Sequence, residues 1–285
     1  MFKTKMKRIL CGALALSATV ACTATLTACE TSHPKVEMEI EFNGQTYELE
    51  YKLYRKIAPA TVKHFLALAE NGYYDGLCVH DYTSDKLYTG GYTYENENLV
   101  YKKYYDIVKN YADFPVSVWT DETKATPTYT LYGEFYENAD FTVENGALDQ
   151  TFGSLSMFYT EKDGEDQVVI ERHNGEGVAW RDYENNCATS LFFISLASET
   201  KSDDNYCTFA TLDDDSVEAL EELKGDIEDY IAENYSAGDE DEVFAPETTV
   251  EVDGDDPYVG QKDNTESYHV PQKAIVIKKV TVKKY

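Results

Sequence analysis

Cys29 has the setting that most directly implies chemistry. It closes the stretch Leu26-Thr27-Ala28-Cys29, after an apolar run that follows Lys3, Lys5, Lys7 and Arg8. A basic start, an apolar middle and a small residue before the cut mark a secretory signal. A cysteine directly after the cut adds a lipid anchor, as in a bacterial lipobox. The pattern predicts a signal peptide over residues 1–28, a lipidated tether over 29–35 and a working domain over 36–285. That domain would sit outside the cytoplasm, held to the membrane through Cys29, where a doubly acylated cysteine is a stable anchor. A membrane span over Ile9–Leu26 is the competing reading. About 18 residues is near the lower limit for a span, and Ser17, Thr19, Thr23 and Thr25 dilute it. Cys22 is a weaker lipidation site, because Thr19 stands where Leu, Val or Ile is expected.

The other reactive side chains are scattered. With the signal removed and Cys29 acylated, the remaining thiols are Cys78, Cys187 and Cys207, which allow at most one bridge, with Cys187 and Cys207 as the candidate pair. His33, His64, His80, His173 and His269 form no HExxH or HxH pattern and no CxxC is present, so no metal site is expected. The runs Asp213-Asp214-Asp215 and Glu251–Asp256 lack the spacing of a calcium loop and read as solvated. Trp119 and Trp180, with Tyr183, either form a ligand platform or pin loops to the body of the domain.

Charge narrows the partners. The chain of 285 residues carries 25 Lys and Arg against 53 Asp and Glu, a net charge of −28. Loss of the signal's four positive charges takes this to about −32, which excludes nucleic acid and anionic lipid as direct partners. The 24 tyrosines suit half-buried strands and interfaces. The acid-rich tract Ala237–Asp263 is poor in large apolar residues and reads as an exposed insertion.

The elements that must position any site follow from periodicity. Val36–Phe42 and Tyr47–Leu53 each alternate apolar with polar residues, and Asn43-Gly44 between them signals a hairpin turn. Pro59 opens a helical pattern with Val62, Phe65, Leu66 and Leu68 on one face, ending near Asn71-Gly72. Ser190–Leu196 and Tyr206–Ala210 read as buried strands; Val217, Leu220, Leu223 and Ile227 mark a second helix; Ala274–Ile277 with Val280 and Val282 supply the last strand. Many short strands with two helices argue for a closed or nearly closed β-barrel with helices at its ends.

Four ordered segments resemble the cyclophilin-type peptidyl-prolyl isomerases. The longest runs from Ala58-Pro59-Ala60-Thr61-Val62 through His64-Phe65-Leu66 to Gly72-Tyr73-Tyr74-Asp75-Gly76. The second is Tyr132-Gly133-Glu134-Phe135, then Asn145-Gly146, then Gly153-Ser154-Leu155-Ser156-Met157. The third is Ser190-Leu191-Phe192-Phe193-Ile194, and the fourth is Ile275-Val276-Ile277-Lys278-Lys279-Val280. The resemblance implies a closed eight-stranded antiparallel β-barrel with two capping helices. Three stretches near 93–130, 160–186 and 225–269 are longer than the family norm and are expected as loop insertions.

The family's reaction rotates an X-Pro amide, whose uncatalysed barrier is about 18–20 kcal/mol. It needs a hydrogen-bond donor to the amide nitrogen and an apolar socket for proline, and it uses no cofactor. The family's donor is an arginine, in a segment of the form FHRxxxxFMxQGG. Here that segment is Val79–Gly91: His80 and Gly90-Gly91 hold the register, but the arginine position is Asp81. Lys86 stands for the phenylalanine, Leu87 for the methionine and Thr89 for the glutamine. In the third segment Leu191 replaces a second glutamine, Phe193 keeps the socket phenylalanine, and Tyr206 falls at the family's histidine. An ionised aspartate accepts hydrogen bonds and has no proton to give. The resemblance therefore implies a proline socket partly kept through Leu87, Phe193 and Tyr206, with catalysis weak or lost; Lys86 or Lys201 could supply a substitute cation. The expected partners are proline-containing peptides or exported proteins. The alternative is a non-catalytic extracytoplasmic protein- or peptide-binding module.

Overall fold

Alternation decides the first hairpin. In the computed structural model, which describes residues 31–96, 98–135, 148–159, 166–172, 177–183, 187–197, 206–235, 243–251 and 265–285, strand β1 spans Lys35–Phe42 and β2 spans Gln45–Leu53. Val36, Met38, Ile40 and Phe42 face inward, as do Tyr47, Leu49, Tyr51 and Leu53. Asn43 and Gly44 both take positive φ, 49° and 85°, which a tight two-residue turn between twisted strands requires. Cys29, the signal peptide, the start of the tether, Asn145-Gly146 and Lys201 lie outside the described residues.

Helix α1, Pro59–Glu70, follows, with Val62, Phe65, Leu66 and Leu68 buried. Short strands come next: β3 (Leu77–Cys78), β4 (Asp81–Thr83), β5 (Lys86–Thr89), β6 (Tyr92–Glu95) and β7 (Asn98–Tyr101). A brief helix α2 (Tyr104–Val108) leads to β8 (Val118–Trp119), β9 (Leu131–Tyr132), β10 (Leu155–Met157), β11 (Gln167–Glu171), β12 (Val178–Asp182), β13 (Cys187–Ala188), β14 (Phe192–Ser195) and β15 (Cys207–Leu212). Helix α3 (Val217–Asn234) buries Leu220, Leu223, Ile227 and Ile231, the spacing of one helical face. Strands β16 (Glu247–Glu251), β17 (Thr265–His269) and β18 (Ile275–Lys284) finish the chain.

The protein is mainly β. Its principal sheet has nine strands in the order β3-β18-β1-β2-β15-β10-β14-β5-β4, and every pairing in it is antiparallel. The two outermost strands are neighbours in sequence, separated by Val79 and His80 alone. The Val79 N–H donates to the Ile275 carbonyl and the His80 N–H to the Tyr88 carbonyl, each at 2.9 Å. One core joins the inner rows of this sheet to α1 and α3.

The three long stretches differ from the loops expected of them. The first carries β7, α2 and β8, the second β11 and β12, and the third the hairpin β16–β17. Strands β8, β11 and β12 form a separate three-stranded sheet, which buries Val118, Val168, Ile170 and Ala179 with Tyr132 and Tyr183. The first two stretches thus share one apolar row. The acid-rich tract is likewise not wholly exposed: Phe244 is fully buried and packs on Tyr82, Tyr230 and Tyr235. The run Asp213–Asp215 starts α3, with the Asp213 carboxylate accepting from the Asp215 N–H and pairing with Lys35 at 2.8 Å. Cys78, Cys187 and Cys207 are buried free thiols, so the candidate bridge is not formed.

Candidate functional site

Five antiparallel strands fix one row of side chains on the outer face of the principal sheet. Asp81 pairs with Tyr88, Tyr88 with Phe193, Phe193 with Ser156, and Ser156 with Thr208. Directly paired residues share a face of a sheet, so these five form a ladder across β4, β5, β14, β10 and β15. The parallel ladder Tyr82–Leu87–Ile194–Leu155 faces the other way, into the core.

The outer row is aromatic at its centre. Tyr88 and Phe193 have ring centroids 5.2 Å apart, Phe193 and Tyr206 also 5.2 Å, and Tyr88 and Phe158 5.7 Å. Lys86 lies over this cluster, its Nζ 4.8 Å from the Phe193 centroid and 5.5 Å from that of Tyr206, a cation–π arrangement. These neighbours leave Phe193 with 0% of its surface exposed. At the far end the Ser156 and Thr208 hydroxyls bond each other at 2.8 Å, so neither is left unpaired on a buried patch.

The structure brings Phe193 and Tyr206 together as expected and sets Asp81 on their face, two strands from Phe193. It corrects the expectation for Leu87. Phe193 stands opposite Tyr88 and Leu87 stands opposite Ile194, so Leu87 and Phe193 point to opposite sides of the sheet. Leu87 is fully buried in the core and is no wall of a socket with Phe193. Thr89 is corrected on the same ground: two residues from Leu87 it also faces inward, and its hydroxyl donates to the Cys78 carbonyl at 2.8 Å. Leu191 packs on the glycine pair. A Cβ at Gly91 would come within 2.5 Å of its Cδ2, and one at Gly90, where φ is +100°, within 2.2 Å of the Ser190 carbonyl oxygen. Sequence reasoning missed Tyr88 and Phe158. The signal lay in strict alternation along Lys86–Thr89, which allows only one of Leu87 and Tyr88 to share a face with Phe193.

Asp81 is already engaged. Its Oδ1 accepts the His269 backbone N–H at 2.8 Å and lies 3.4 Å from His269 Nδ1. The partner belongs to β17, at the end of the third long stretch. One residue earlier and on the other side of the chain, His80 is buried with its ring 4.8 Å from those of both Tyr92 and Tyr268, and burial pushes its pKa down to about 3. The hairpin β16–β17 therefore clasps the Val79–Asp81 segment with Tyr268 on one face and His269 on the other.

The scaffold beneath is tied by Glu134. Ala58, the residue before α1, gives no side-chain cap. Instead the Glu134 carboxylate accepts the N–H groups of Ala60 at 3.0 Å and Thr61 at 2.8 Å, an anion held at a helix N-terminus. Burial raises the pKa of this carboxyl, and the two N–H bonds pull it back. Among the described residues no group of three or more His, Cys, Asp or Glu side chains is placed to hold a metal ion.

A family model described as cyclophilin type peptidyl-prolyl cis-trans isomerase/CLD matches residues 36–237. A Staphylococcus haemolyticus protein, proposed by its name to be a peptidyl-prolyl cis-trans isomerase, is 35% identical over 68 residues, 21% of this chain and 34% of that protein. A Staphylococcus aureus protein of the same name is 36% identical over 55 residues, 19% of this chain and 28% of that protein. The chain thus spans about a third of the length of these curated relatives. A solved Cryptosporidium parvum cyclophilin type peptidyl-prolyl cis-trans isomerase is similar at a TM-score of 0.44 and 17% identity, over 89% of this chain and 99% of that one.

Proposed function

We propose a function on one premise: the chain belongs to the cyclophilin-type peptidyl-prolyl cis-trans isomerase family. On that premise β3 and β4 act as one bent strand that joins β18 to β5, and the principal sheet is a closed eight-stranded barrel capped by α1 and α3, with three insertions. The row from Asp81 to Thr208 is its groove for proline-containing segments of exported proteins. The rings of Phe193, Tyr88 and Tyr206 offer the pyrrolidine ring an apolar seat once the Lys86 side chain swings aside. Cys29 holds the domain outside the cytoplasm, anchored to the membrane through its acyl chains.

Catalysis in this groove is weak or lost. The observation that carries the reading is the Asp81 carboxylate, engaged by His269 at the position where the family's donor stands. It has no proton to give to a twisting amide nitrogen. Losing one such donor costs about 3–4 kcal/mol of transition-state stabilisation, a few hundredfold in rate. The ammonium of Lys86 is occupied on the Phe193 and Tyr206 rings, and it lacks the rigid fork of a guanidinium. The same engagement of Asp81 favours the second reading, a non-catalytic module that grips proline-containing segments. A protease-free isomerisation assay on the purified protein with an Ala-Ala-Pro-Phe peptide tests the proposal. Little acceleration over spontaneous exchange is expected; turnover at the efficiency of a full donor set would overturn it.

A further inference from the structure

The outer face of the three-stranded sheet carries a row the proline groove does not use. Val169 pairs with Trp119 on one side and Trp180 on the other, so the three share a face, opposite the row of Val118, Ile170 and Ala179; Val169 and Trp119 are buried there and Trp180 is the exposed member. With strands about 4.8 Å apart, the backbones of Trp119 and Trp180 lie about 10 Å from each other across Val169. Tyr183, grouped with them by sequence, is instead buried on the inner side.

Each half of this face carries an indole and a carboxylate, and they differ in burial and in the cation: Trp119 is 9% exposed and Trp180 41%. On the first half the chain supplies its own cation: Lys124 Nζ lies 5.0 Å from the Trp119 ring and pairs with Glu171. On the second half the Trp180 indole N–H donates to Glu122 at 2.7 Å. Among the described residues no ammonium or guanidinium stacks on Trp180. A single accepted bond leaves the exposed Glu122 carboxylate with most of its acceptor sites. The loop presenting Glu122 and Lys124 is preformed, because the Asp121 carboxylate accepts the N–H groups of Thr123 and Thr126, each at 3.0 Å.

We propose that the Trp180–Glu122 half of this face docks a basic segment of a partner polypeptide, whose lysine or arginine repeats there what Lys124 does on Trp119 and Glu171. Charge complementarity selects this occupant: the chain's net charge is −28, and an indole flanked by a carboxylate favours a cation over a neutral ring. The docking is independent of the proline groove and stands or falls separately from it.

The test is fluorescence anisotropy at low salt on the full chain, with a labelled pentapeptide carrying two arginines as the probe. Trp180→Ala leaves net charge untouched and is expected to weaken binding roughly two- to fivefold, with Trp180→Tyr retaining most of the affinity. Glu122→Gln should weaken binding as well, whereas Glu218→Gln, the same charge change at an exposed position on α3, should not. A neutral N-acetylglucosamine trimer should leave Trp180 fluorescence unchanged. Unaltered binding by Trp180→Ala, an equal loss for Glu218→Gln, or a response to the sugar in place of the peptide would each overturn the proposal.

Discussion

Replacing Asp81 by alanine removes the acceptor that ties the β16–β17 hairpin to β4. The bond to the His269 N–H is 2.8 Å long and its acceptor is a carboxylate. A hydrogen bond to a charged group contributes about 1.5–3 kcal/mol. Water compensates part of this, because the side chains of Asp81 and His269 are 21% and 51% exposed. The ion pair to the His269 ring is partly screened and adds at most about 1 kcal/mol when the ring is charged. The expected net loss is therefore about 1–2 kcal/mol. Because a two-stranded hairpin is marginal alone, the loss should fall on the hairpin rather than on the whole fold. Hydrogen exchange reads this directly: the His269 amide should exchange roughly five- to thirtyfold faster in Asp81→Ala, since 1.4 kcal/mol is a factor of ten. The amide of Ile277, paired within the principal sheet, should keep its protection. Asp81→Asn keeps an acceptor oxygen and should lose less. An unchanged His269 amide in Asp81→Ala would refute the idea that this carboxylate is a clasp.

Four further outcomes follow from the same geometry. Asp81→Arg should not restore efficient isomerisation, because Thr89 faces inward and Leu191 brings no amide to the groove; recovery to full turnover in the exchange assay would contradict this. Stability should fall with acid: burial holds His64 and His80 neutral, with pKa values of about 3 against 6.5 in an unfolded chain. Below pH 6.5 the unfolded chain binds protons that the folded one refuses, so each histidine costs about 1.4 kcal/mol per pH unit down towards 3, and both together about 4 kcal/mol at pH 5. Urea unfolding at pH 7 and pH 5 measures that difference. Glu134→Ala should destabilise the protein by about 1–2 kcal/mol by uncapping α1, seen as a lower denaturation midpoint with an unchanged slope. Gly90→Ala should cost more than 3 kcal/mol or abolish folding, because its Cβ would meet the Ser190 carbonyl oxygen at 2.2 Å in a backbone conformation of positive φ.

Much of the scaffold was legible because it is local. The alternation of Val36–Phe42 and Tyr47–Leu53, the Asn43-Gly44 turn and the Pro59 helix start each depend on neighbours within a few residues. The last strand was read in place, with Ile275–Ile277, Val280 and Val282 all falling on one strand over Ile275–Lys284. What failed depended on pairing between distant segments. A period of two says that Leu87 and Tyr88 face opposite ways, but only the register against Phe193 says which of them is outside. The hold of His269 on Asp81 joins residues 188 positions apart, and no local pattern announces it. Phe244 was lost in an acidic stretch whose average hid one deeply buried ring. Glu134 was legible as part of a resembling segment, but its service as the cap of a helix 73 positions away was not.

The most direct test of the central claim is NMR exchange spectroscopy of a proline-containing peptide, recorded with the aromatic resonances of the protein in the same sample. The account predicts that the rings of Tyr88, Phe193 and Tyr206 shift as peptide is added, while the cis and trans peptide signals exchange at close to their spontaneous rate. Rapid exchange, or shifts that bypass these three rings, would contradict it.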